Sequence, residues 1–170
     1  MEKFKTVKEL NIVAAVMKID RNLTGLIELA EKYGLEKEDA EDYMDSNDAE
    51  DTLCNETMAA IGKLKLEAED LKLESQLKDW KDFVVQMLME YPTQHMEEDS
   101  AALANAVFDP DKNLLDVLAA GLKLSSENRI EVDKRIIQAA RLPESAACIG
   151  MCGRDDLKKI ILDYYLGKQV

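Results

Sequence analysis

Proline and glycine are scarce in this sequence, three and seven among 170 residues. A β-sandwich or barrel builds its many turns from those two residue types, so their shortage argues against that class. Aromatic residues make up only 5 %, and no window approaches the roughly eighteen consecutive apolar residues of a membrane span. Histidine occurs once, as His95, and cysteine three times, as Cys54, Cys148 and Cys152. An odd set of cysteines, with no apolar run at the start, reads as a reduced, cytoplasmic chain rather than a disulfide framework. Positive charge is in short supply: 22 lysines and arginines against 35 acids leave a net charge of −13. The small clusters at Lys3, Lys5 and Lys8, and at Lys158 and Lys159, are interleaved with acids. Direct binding to nucleic acid or to a membrane surface is therefore disfavoured.

What is abundant is apolar and charged sequence, 46 % and 34 % of the chain. That balance describes a globular chain with a heavily solvated surface, and with so few breakers it favours helices. The expected fold class is all-α, an irregular bundle of about seven or eight helices. Thr6 and Glu9 fit a capping box ahead of Val7, Leu10, Val13, Ala14 and Met17, which predicts a helix over 7–19. Asn22 can cap a second helix, and Gly34 stands where a left-handed residue closes it. The clearest pattern runs from Thr57 to Tyr91, where Leu66, Leu73, Leu77, Trp80, Val84 and Met87 recur at spacings of seven, four and three. One central helix over 57–91 would extend about 52 Å, with a bend near Ser75 able to divide it. This seam serves either as a covered core stripe or as a surface for self-association, and a homodimer is compatible with both.

Pro92 stops that stretch. Short helices are expected over 101–108 and from Leu114 to Leu122, then one capped by Ser125 or Ser126 that carries Ile130, Val132, Ile136 and Ile137. A last helix is expected over 155–166, closed by Gly167. The small, apolar segment Ser145–Gly153 reads as tight packing or a buried turn. The chain divides most naturally into 1–45, a helical region with an acidic segment; 46–56, an acidic connecting loop; and 57–170, a helical bundle.

Enzyme chemistry finds little support. Cys148 and Cys152 lack two further ligands at metal-binding spacing, so buried structural thiols are the expectation. Asp45–Glu56 has the length of a calcium loop but places Ala49 and Glu50 where an oxygen ligand and a glycine are required. No signature surrounds any serine or cysteine, and no phosphate loop is present. Neither a cofactor nor a metal is expected.

The sequence's outstanding feature is Glu36–Asp51. Nine carboxylates (Glu36, Glu38, Asp39, Glu41, Asp42, Asp45, Asp48, Glu50 and Asp51) stand there against one Lys37, a net −8 in sixteen residues. A helix over 36–45 anchored only by Ala40, Tyr43 and Met44 would present a largely anionic face, followed by loop. Charge runs usually mark plain solvation. A field this dense also attracts basic protein surfaces of the kind that hold a phosphate backbone.

Three further segments carry a resemblance: Met-Lys-Ile-Asp-Arg-Asn-Leu-Thr-Gly-Leu-Ile-Glu-Leu-Ala-Glu from Met17 to Glu31, Leu-Lys-Asp-Trp-Lys-Asp-Phe from Leu77 to Phe83, and Ile149 to Lys159 with Asp163-Tyr-Tyr-Leu166. Together they resemble the small acidic proteins carried by integrative elements of gut Firmicutes, a family similar to type II-A anti-CRISPR inhibitors. The resemblance implies that the partner is an RNA-guided type II Cas nuclease, with or without guide RNA, inhibited stoichiometrically through acidic mimicry of phosphates. It assigns no contact residues; the nine carboxylates follow from charge alone. The alternative is a helical scaffold or assembly protein of a conjugative element, built on the 66–87 seam.

Overall fold

The computed structural model describes residues 4–71, 78, 82–83, 85–87, 89–90, 97–141, 143, 148–150 and 152–167. The fold is all-α. Helices α1 (Val7–Ile19), α2 (Leu23–Lys32), α3 (Lys37–Asp45) and α4 (Glu56–Asp70) are followed by helical positions between 78 and 90. Next come α5 (Glu97–Phe108), α6 (Leu114–Glu127), α7 (Lys134–Ala139) and α8 (Arg154–Leu166). The chain forms two compact units, Met1–Leu114 and Leu115–Val170. The division expected at 46–56 is thus not where the chain divides. Leu53 and Cys54, at the end of that loop, are buried in one apolar core with Val7, Leu10, Leu26 and Ala59, and a segment that supplies core side chains cannot act as a linker.

Local chemistry sets the starts of the first helices. The Thr6 hydroxyl accepts from the Glu9 N–H at 3.2 Å, while the Glu9 carboxylate accepts from Lys5 N–H at 2.8 Å, one residue beyond the expected partner. Asn22 Oδ1 accepts from Gly25 N–H at 2.9 Å, and Asn55 does the same for Met58 in α4. Each such cap contributes about 1 kcal/mol. Gly34 follows α2 at φ +72°, the left-handed geometry that halts a helix there.

Helix α4 stops at Asp70, and Leu71 leaves helical geometry at ψ 81°. The 57–91 stripe is therefore broken at Leu71 rather than carried by one unbroken rod. Of the seam residues, Leu66 lies on α4 and is 38 % exposed, and Met87 is helical and half-buried. Leu73, Leu77, Trp80 and Val84 fall outside the described residues, as does His95.

Two features lock α4 into the first unit. At Gly62 a β-carbon would stand 2.3 Å from the Tyr33 carbonyl oxygen, and at Gly34 one would stand 2.2 Å from that of Gly62. The end of α2 and the middle of α4 thus meet backbone to backbone, with no room for a methyl group. One residue on, Lys63 Nζ donates to the carbonyls of Val107 at 2.7 Å, Asp109 at 2.5 Å and Lys112 at 2.6 Å. An ammonium at the carboxyl end of α5 satisfies orphan carbonyls and complements the helix dipole. Beside it, Glu67 accepts from the Leu114 N–H at 2.9 Å.

In the second unit the expected helix over 130–140 is shorter. Residues Arg129–Glu131 form strand β1, antiparallel to β2 (Cys148–Gly150), with Ile130 opposite Ile149. Asp133, not Ser125 or Ser126, then caps α7 by accepting from Arg135 N–H at 2.8 Å. The tight packing expected in 145–153 occurs at Gly150, where a β-carbon would lie 2.1 Å from the Ser125 carbonyl oxygen. Cys148 is nonetheless exposed and Cys152 half-exposed, so of the three thiols only Cys54 is the buried structural kind. On α8, Leu157, Ile161 and Tyr165 are buried, Tyr164 donates to Asp116 at 2.8 Å, and Gly167 ends the helix at φ +63°.

Gly62→Ala is expected to cost about 2–3 kcal/mol of stability through overpacking, read as a lower urea midpoint. Gly167→Ala, which meets open space and only a positive φ, costs about 1 kcal/mol.

Candidate partner-binding surface

Helix α3 buries Ala40 and Tyr43 and packs the half-buried Met44 against the same core, so all three expected anchors face inward while Lys37, Glu38, Asp42 and Asp45 stay exposed. Asp39 serves the fold as well: its carboxylate accepts from the Glu36 N–H at 2.9 Å and so caps the helix. The loop beyond α3 is braced residue by residue. Ser46 Oγ accepts from the Asp48 N–H, Asp48 Oδ1 from Glu50 N–H and Asp51 Oδ1 from Thr52 N–H, at 3.2, 2.9 and 2.9 Å. Short polar side chains that bond the backbone one or two residues on hold such loops in defined turns.

The far end of the loop is pinned to α1. Asn11 Nδ2 donates to the Cys54 carbonyl at 2.8 Å, and Asn11 Oδ1 accepts from the Cys54 N–H at 3.3 Å. Beside this clamp the Lys18 ammonium lies 4.2 Å from the centre of the Tyr43 ring. Burial, with a further contribution from Asp51, raises the pKa of the Tyr43 phenol. Burial also pushes the Cys54 thiol from 9.0 up to about 12, reinforced by the charges of Asp39 and Glu56. A thiol held in this way is a packing group and not a nucleophile.

The nine carboxylates are sorted by these contacts. Glu41 pairs with Lys37 at 2.7 Å, which raises the lysine's pKa, and Glu36 pairs with Lys65 at 3.0 Å. Both pairs are solvent-exposed. Among the described residues Glu38, Asp42, Asp45, Asp48, Glu50 and Asp51 are all exposed and make no ion pair. Counting Lys65 as well as Lys37 against the nine acids, the surface still carries −7. Asp39, Asp42 and Asp51 come together with Tyr43 and Cys54 around one shallow recess of about 310 Å³, whereas Glu38, Asp45, Asp48 and Glu50 do not line it. Among the described residues no group of three His, Cys, Asp or Glu side chains is arranged to hold a metal ion.

Sequence reading missed Asn11, Lys18 and Lys65. Asn11 carried a usable signal: it stands directly after Leu10 and one turn after Val7, a polar residue at the edge of the apolar face of α1. Compared with known protein families, curated proteins and solved structures, the chain matches none.

Asn11→Ala removes all three bonds to Cys54, the thiol's at 3.9 Å included, and is expected to destabilise the first unit by about 1–3 kcal/mol, with faster amide exchange over 48–54. The raised Cys54 pKa has its own signature. The native thiol keeps its proton up to about 12 while the unfolded one loses it near 9.0. Stability is thus full below about pH 9 and falls as pH rises toward 12, by about 1 kcal/mol at about pH 10. Urea titrations across that range should show a shallower alkaline decline in Cys54→Ala.

Proposed function

We propose that this protein is a stoichiometric inhibitor that lays residues 36–51 against a cationic groove made for nucleic acid. The target implied by the sequence resemblance is an RNA-guided type II Cas nuclease. The observation that carries the reading is the set of six exposed carboxylates without cationic partners, fixed in place by a capped helix and a braced loop. Arginines that grip phosphate oxygens accept carboxylate oxygens in the same fork geometry. Because the segment is already ordered, less conformational entropy is lost when the partner closes on it. Inhibition of this kind needs no turnover, nucleophile or metal.

The competing scaffold reading depends on the 66–87 seam. Of that seam only Leu66, which opens onto a recess of its own unit, and Met87, which is half-buried, lie among the described residues.

The test is a DNA-cleavage titration against the guide-loaded nuclease, paired with pull-downs with and without guide RNA. Cleavage should stop near one inhibitor per nuclease and recover as salt is raised. Changing Glu38, Asp42, Asp45, Asp48, Glu50 and Asp51 to their amides removes six pairs of about 0.5 kcal/mol each, weakening inhibition about a hundredfold. Full inhibition by that variant defeats the charge mechanism, and uninhibited cleavage at excess parent protein defeats the choice of target.

A further inference from the structure

A second recess in the first unit, of about 370 Å³, has the opposite electrostatic character. Its volume falls within the range of small-molecule sites, about 300–1,000 Å³. Three aromatic rings line it. Phe4 stacks on Tyr33 with ring centres 5.5 Å apart, and Tyr33 meets Phe108 at 5.7 Å, the planes inclined by 24° and 30°. Such packed rings give the recess an aromatic wall that suits a flat, apolar ring. Leu66, 38 % exposed, adds an aliphatic wall.

The charges decide what such a recess takes. Lys63 and Glu67 both line it but are committed to each other and to the backbone: Lys63 to three carbonyls, Glu67 to Lys63 at 3.5 Å and to the Leu114 N–H. Lys32 is different. It stands in the last turn of α2 with Nζ 5.4 Å from the centre of the Tyr33 ring, is exposed, and among the described residues has no carboxylate in ion-pair range. With Lys63 and Glu67 cancelling, the recess keeps one positive charge in a chain of net −13. An uncompensated cation beside an aromatic and aliphatic wall calls for a ligand with an apolar ring and one acidic group.

We propose that this recess binds a small aromatic anion of the carboxylate or sulfonate class, its ring against Phe4, Tyr33 and Leu66 and its acid group on Lys32. The proposal is independent of the inhibitor reading, since it uses none of residues 36–51.

The full-length protein is titrated with two fluorescent probes of one skeleton, the anion 1-anilinonaphthalene-8-sulfonate and its neutral parent N-phenyl-1-naphthylamine. The sulfonate should bind saturably at one site and more tightly than the neutral probe. Lys32→Gln, at an exposed position, should weaken the sulfonate about tenfold and leave the neutral probe unchanged. Leu66→Glu should weaken both. Circular dichroism and urea midpoints matching the parent establish that the variants fold. Absence of saturable binding, equal sulfonate affinity in Lys32→Gln, or indifference of both probes to Leu66→Glu would each overturn the assignment.

Discussion

The close approach of the Tyr33–Gly34 turn, just after α2, to Gly62 of α4 is the constraint from which the first unit is built. Each glycine is needed because the other's backbone occupies the place of its side chain. What lies on either side of this contact follows from it. Tyr33, one residue before Gly34, is held among the rings of Phe4 and Phe108, and Leu35, one residue after, enters the core. Glu36 then opens the acidic helix, tied to Lys65 of α4 one turn beyond Gly62. Lys63, next to Gly62, gathers the carbonyls at the end of α5. A dispersed set of contacts could tolerate an extra methyl group by small shifts, but two apposed backbones have no such freedom.

Lys32 lies just before the Gly34 turn, with no carboxylate in ion-pair range among the described residues, and Glu36 just after it begins a run of carboxylates most of which make no ion pair. Surface ion pairs are individually weak, of the order of 0.2–1 kcal/mol, so leaving these groups unpaired costs the fold little. It leaves them open to solvent.

Much of the first unit was legible because its signals are local. Thr6, Asn22 and Gly34 act within a few residues of themselves, and the boundaries of α1 and α2 fall where these caps put them. Ala40, Tyr43 and Met44 sufficed to orient α3, and all three face the core. The failures have a common cause in distance along the chain. Asn11 finds Cys54 43 residues away, and only that pairing turns an apparent linker into core. Ile130 and Val132 sit in an apolar run too short for its period to tell strand from helix, and the choice there is made by the ladder to Cys148–Gly150. Leu71 breaks a stripe whose apolar spacing continues unaltered past it, since periodicity records which face is apolar and not whether the backbone is continuous.

The Lys63 and Glu67 contacts have a mechanical consequence. Lys112 gives its carbonyl to Lys63, and Leu114 gives its N–H to Glu67, so the last stretch of the first unit is moored to α4 just where the chain passes on to the second. Tension arriving along the chain from that side is taken up by two side chains one helical turn apart. Such a load reaches α4 before it reaches the end of α5.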